Sequence, residues 1–128
     1  MSVLKFILYL VAAFCLVSAI FVFLPWEYFN AFIGLFSDTI FPDDAVVRYM
    51  VRAILLTFFW VGVLIVLAVR EPVKYGAVLT VLGLYFLSWA VVSGVLVWTY
   101  SLPSTFYGDL VSGIIIGILF LVYRAQNQ

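Results

Sequence analysis

The chain has 128 residues, of which 68% are hydrophobic and only 9% charged, far below the roughly one quarter charged residues that keep a soluble domain of this size in water. Six basic and six acidic side chains cancel, so no bulk attraction to nucleic acid or acidic partners is expected. There is no histidine and a single cysteine, which excludes histidine-based metal, haem and quinone-type sites and any internal disulfide.

A mean hydropathy of +1.31 points to lipid as the solvent. A helix needs about 20 apolar residues to cross the hydrocarbon of a bilayer. The first run that qualifies is 5–24, opened by Lys5 and stopped by Pro25. Its Val17-Ser18-Ala19 stretch would suit a signal peptidase, but Phe14 before Cys15 does not suit a lipoprotein cleavage site. We read it as a retained span in which Cys15 is a small buried hydrophobe.

The segment 25–44 is rich in aromatic residues. Glu27, Asn30 and Gly34 recur at helical spacing opposite Trp26, Phe29, Ile33 and Phe36. That pattern predicts a short amphipathic helix lying at the membrane interface, with an irregular aromatic loop as the alternative. Asp43 is placed to cap the next helix.

The second run, 45–69, contains the chain's main anomaly: Arg48 and Arg52 sit in its opening. Counting back from Arg70 at about 1.5 Å per residue puts Arg52 about 27 Å and Arg48 about 33 Å along the helix, in the far half of the bilayer. The third run is 75–98. Its Gly76, Thr80, Gly83, Ala90 and Gly94 fall on one small-residue stripe.

The fourth run, 105–123, holds Gly113 and Gly117 in a GxxxG spacing. This spacing reads either as a homodimer seam or as contact between helices of one chain. Asp109 lies too close to Arg124 for the intervening residues to span the hydrocarbon, so the helix is expected to start after Pro103 with Ser104 as its cap. The expected fold is all-α: a single transmembrane domain over 1–128, an up-down four-helix bundle with a short interfacial helix between spans 1 and 2.

Charge sets the orientation. Lys5, Arg70, Lys74 and Arg124 flank one side, and Glu27, Asp38, Asp43, Asp44 and Asp109 the other. The positive-inside rule then predicts an inner-membrane protein with both termini cytoplasmic. Trp26, Tyr28, Trp98, Tyr100 and Tyr107 would form an outer aromatic belt.

Asp109 comes out at a depth within about 5 Å of Arg52. An ionic side chain at a span centre costs about 2.5–3.5 kcal/mol on insertion scales, and pairing would offset much of that. The expected structural ion pairs are therefore Arg52 with Asp109 and Asp44 with Arg48, the latter at the favoured i,i+4 order. Arg48 and Arg52 lie about 40° apart around the helix and point the same way. Two readings of them stand side by side: a structural lock with snorkelling to head groups, or an outward-facing cluster of Arg48, Arg52 and Asp109 that binds an anionic lipid or solute. Tyr49, Tyr85, Ser88, Trp89 and Ser93 are candidates to line such a pocket.

No phosphate loop, nucleophile motif or spaced carboxylate cluster is present, so no catalytic residue, metal or cofactor is expected. At "YMVRAILLTFFWVGVLIVLAVREPVKYG" (Tyr49 to Gly76) the chain resembles a loose class of small bacterial four-span membrane proteins. Members carry an arginine early in the second span, a turn like "REPVKY" into the third and an acidic residue opening the fourth, matched here by Arg52, residues 70–75 and Asp109. The resemblance implies the four-span fold and no activity. The expected function is that of a non-catalytic accessory or scaffolding membrane subunit, with a small anion-binding or transport unit as the alternative. The expected partners are the bilayer, an anionic lipid, and either another membrane protein or a second copy of the chain.

Overall fold

A computed structural model describes residues 2–35, 44–102 and 104–127. Among these the chain is predominantly helical and holds no strand. The elements are α1 (Val3–Val17), α2 (Ile20–Phe23), α3 (Trp26–Gly34), α4 (Ala45–Arg70), α5 (Gly76–Tyr100), a 3-10 turn (Ser104–Phe106) and α6 (Tyr107–Gln126). Four stretches are long and apolar enough to cross a membrane: Val3–Phe23, Ala45–Arg70, Gly76–Tyr100 and Tyr107–Gln126. Each presents large apolar side chains outward, among them Phe14, Trp60, Val81, Val95 and Ile115, which water would not tolerate and acyl chains would solvate.

Local chemistry sets the ends of these helices. Between α1 and α2 the chain tightens into i→i+3 bonds, Ser18 N–H to Cys15 O and Ala19 N–H to Leu16 O, and the Ser18 hydroxyl donates back to Phe14 O. α2 stops because Leu24, preceding Pro25, is forced into extended backbone (ψ 153°). α4 starts at Asp44, whose Oδ1 accepts from Val46 N–H at 2.8 Å and Val47 N–H at 3.4 Å. Asp43, the expected cap, lies outside the described residues. α4 ends at Arg70, a favourable charge for its last turn, just before Glu71 and Pro72. In the turn that follows, Glu71 and Lys74 pair at 3.7 Å.

α5 ends in a Schellman arrangement: Ser101 adopts a left-handed conformation (φ 51°), its N–H bonds to Trp98 O, and Leu102 N–H reaches Val97 O. The expected Ser104 cap of the last helix is corrected. Ser104 opens the 3-10 turn, α6 begins at Tyr107, and its cap position, Phe106, contributes no side-chain bond. Asp109 falls in the first turn of α6, where a carboxylate complements the helix dipole.

The chain divides into two compact units, one of Val11–Val63 and one of Met1–Leu10 with Leu64–Gln128. In the second, α5 and α6 pack along glycines. A Cβ on Gly117 would lie 2.7 Å from Leu87 Cγ and 2.9 Å from Gly83 O, and one on Gly113 would lie 2.9 Å from both Ala90 Cβ and Phe86 O. A Cβ on Gly83 would meet Leu121 at 2.9 Å and Gly117 O at 3.1 Å. The backbones of the two helices therefore nearly touch, the geometry that small residues make possible in lipid. A Cβ on Gly94 would lie 3.3 Å from Leu110 Cδ1, and one on Gly76 would have only Arg124 Nε within 4 Å, at 3.7 Å.

Beside this contact Phe86 stacks on Phe120 (5.7 Å, 16°), and Leu8, Ile65, Leu79 and Phe120 are fully buried. The buried Tyr123 hydroxyl donates to Val69 O at 2.8 Å, satisfying a carbonyl in the last turn of α4 that has no partner within its helix. In the Val11–Val63 unit, α1 and α4 meet at Gly62, where a Cβ would lie 2.9 Å from Leu16 Cγ and 3.0 Å from Cys15 Cβ.

Candidate functional site

The Val11–Val63 unit carries both anomalous arginines, and the geometry around them starts from α3. Trp26 and Phe29 are the buried face of that helix and stack on each other at 4.9 Å. Phe21 of α2 packs on the same face, edge-on to Phe29 at 6.3 Å and tilted against Phe32 at 5.0 Å. Glu27 is on the exposed side. The alternation of polar and aromatic residues along 26–34 thus orients α3 with Trp26 and Phe29 inward, while Tyr28 and Phe32 stay exposed. Trp26, expected in an aromatic belt, is a correction: it is only 7% exposed. Trp98 and Tyr100 are open to the surroundings.

Arg52 extends from α4 toward the end of α2. Its Nη2 donates to Leu24 O in a long 3.5 Å bond. That carbonyl lies in the last turn of a helix broken by Pro25, so it has no partner within its own helix. The Arg52 Nε is buried and has no acceptor, and the same is true of the Trp26 indole Nε1. Within the unit, among the described residues, no carboxylate forms an ion pair with Arg52, and Glu27 forms none either. Buried donors of this kind cost about 1–3 kcal/mol each when left unmet.

Two grooves run beside the arginines. One, of about 450 Å³, is lined by Pro25, Trp26, Glu27, Asn30, Arg48 and Arg52. The other, of about 820 Å³, again includes Arg48 and Arg52 but is otherwise largely apolar, with Val22, Ala53 and Leu56 in its wall. The two guanidinium-bearing side chains therefore line a polar recess as well as an apolar channel. One turn of helix separates Arg48 from Arg52, which is why both reach the same grooves.

The remaining predicted site residues are distributed as follows. Tyr49 lines the larger groove. Asp44 uses its carboxylate on the backbone of α4, and Arg48 N–H bonds to Asp44 O at 2.9 Å. Asp109, Tyr85, Ser88, Trp89 and Ser93 belong to the other unit, so the expected Arg52–Asp109 pair would have to join one unit to the other. Ser93 is buried and donates to Ala90 O in its own helix. No group of three or more metal-binding side chains occurs among the described residues.

Three participants escape a reading from sequence alone: the Leu24 carbonyl, the Trp26 indole N–H and Gly62. Pro25 announces the first, since a proline-ended helix leaves carbonyls exposed, and Gly62 is the one glycine of its span. The amphipathic pattern puts Trp26 on the apolar face of α3, but nothing in the sequence marks that its indole N–H is buried without an acceptor. No protein-family model, no curated protein and no solved structure matches this chain.

Proposed function

We propose that the chain is an accessory, non-catalytic membrane unit that holds an anionic group on the Arg48–Arg52 face of α4. The four apolar helices would cross an inner membrane as an up-down bundle with both termini on the cytoplasmic side. Arg48 and Arg52 would then sit in the outer half. The observation that carries the reading is that Arg48 and Arg52 line two adjoining grooves while the Arg52 Nε, buried, lacks an acceptor. A guanidinium in a span costs free energy unless an opposite charge meets it, and its fork donates two parallel hydrogen bonds to an oxyanion. Nothing in the arrangement activates a nucleophile or a water. The role supported is therefore retention of a ligand rather than its conversion.

Thermal unfolding in a neutral sugar detergent tests this. Inorganic phosphate or a short-chain phosphatidate should raise the melting temperature, with stabilisation of about 2.7 kcal/mol when the ligand is at a hundred times its Kd. The double variant Arg48→Gln, Arg52→Gln should lose the response. Equal stabilisation of the double variant, or none of the native chain by either anion, contradicts the proposal.

A further inference from the structure

We propose that the anionic group is the phosphate of a bilayer phospholipid whose head group carries a primary amine, an ethanolamine lipid, with Glu27 receiving the ammonium. This deepens the anion-binding reading above and rests on it. Three observations converge on that chemistry.

The first is the set of unmet donors. Trp26 Nε1 and Arg52 Nε are both buried without an acceptor, and both residues line the smaller groove. A phosphate diester offers several oxygens to donors arriving from different helices, and a modest swing of the Arg52 guanidinium presents its Nε–Nη edge to them. The second is the larger groove. From the same arginines it runs along Val22, Ala53 and Leu56, and its volume of about 820 Å³ far exceeds an inorganic anion. A soluble ion has no use for such a wall, whereas an acyl chain attached to the phosphate is solvated by it.

The third is Glu27. A carboxylate in the wall of an anion site opposes a ligand that is only negative. Glu27 lines the smaller groove with the two arginines and forms no ion pair among the described residues. It becomes favourable once the ligand brings its own cation a few bonds from the phosphate. A primary ammonium donates three hydrogen bonds to a carboxylate and an amide such as Asn30. A choline cation has none to donate and is held by cages of aromatic faces, while a glycerol head group gives the carboxylate no charge to meet.

Competitive retention tests the proposal. The chain in sugar detergent is offered equal amounts of ethanolamine, glycerol and choline phospholipids with identical acyl chains, and bound lipid is counted by native mass spectrometry. The ethanolamine lipid should be retained roughly fivefold over the other two. Glu27→Gln should bring that preference to near one by lowering retention of the ethanolamine lipid to about that of the choline lipid. Arg52→Gln should lower retention of all three lipids roughly tenfold. Arg52→Lys, which keeps the charge and loses the fork, supplies a second variant if Arg52→Gln does not fold, and should also lower total lipid.

Equal or greater retention of the glycerol lipid, unaltered by Glu27→Gln, overturns the amine assignment and leaves the anion-binding reading standing. Stabilisation by inorganic phosphate with no lipid retained overturns the lipid assignment alone. Absence of both lipid retention and phosphate stabilisation overturns this inference and the reading beneath it.

Discussion

The α5–α6 contact and the surroundings of Arg52 treat polar atoms in opposite ways. Along α5 and α6, glycine backbones approach until a single added methyl would collide, and several polar side chains there are answered locally: Thr80 and Ser93 by carbonyls of their own helix, Tyr123 by Val69, with the buried Arg124 Nε near the end of α6 as an exception. Around Arg52, donors are buried without acceptors and the helices leave open grooves. A region built for stability meets most of its own hydrogen bonds, because in lipid an unmet polar group is costly. A region that leaves donors unmet beside a groove gives up stability that a ligand can restore. The contrast is the basis for assigning structure to the first region and binding to the second.

Substitutions can break or sharpen that contrast. The largest effect is expected at the glycine contact. Gly117→Val should cost about 3 kcal/mol, because the new Cβ would meet Leu87 and the Gly83 carbonyl. Gly108→Ala, with nothing within 4 Å of its new methyl, should be neutral or slightly stabilising. Unfolding in mixed micelles measures both, and similar costs at the two sites would contradict the packing described. Tyr123→Phe should cost about 1 kcal/mol by the same measurement, from the lost bond to Val69 O.

Asp44→Ala should cost about 1 kcal/mol, with hydrogen exchange accelerated only in the first turn of α4; Asn at this position should restore protection. Ser101→Gly should stabilise by up to about 1 kcal/mol, since glycine enters the left-handed region without strain.

The smallest effect separates the two readings of Arg52. If Arg52 serves a ligand, the double-mutant cycle Arg52→Ala with Asp109→Ala should be additive within about 0.5 kcal/mol in lipid-free detergent. A larger coupling energy would return Arg52 to the role of a lock between the second and last spans.

Much of this architecture is legible in the sequence, and the reason is physical. Spans follow from run length and hydropathy, which depend on composition and little else, so the runs at 45–69 and 75–98 lie within a residue or two of α4 and α5. The GxxxG spacing of Gly113 and Gly117 survives translation into contact because one helix face needs only its own periodicity. Helix starts are harder. Asp43 was the expected cap of α4, and it is the Asp44 carboxylate that accepts from the first turn; a Ser104 that looked like a cap opens a 3-10 turn instead.

The site was half legible. Arg48 and Arg52 stand out as charge in an apolar run, and their shared direction follows from one turn of helix. What they face does not follow. The tightened turn at Ser18–Ala19 and the stop at Pro25 reset the helical phase before α3, so the burial of the Trp26 indole N–H and the position of the Leu24 carbonyl depend on two breaks that periodicity cannot carry across.

The central claim, that the Arg48–Arg52 face holds a phosphate, is tested most directly by solid-state NMR of the chain in phospholipid bilayers. The experiment reads dipolar dephasing of ¹⁵N-labelled arginine side chains by lipid ³¹P. The account predicts that the Arg52 guanidinium nitrogens dephase as a group in hydrogen-bonding contact with phosphorus does, and that Glu27→Gln leaves this dephasing in place. An Arg52 signal unaffected by ³¹P, under conditions where arginines at the membrane surface are dephased, would contradict it.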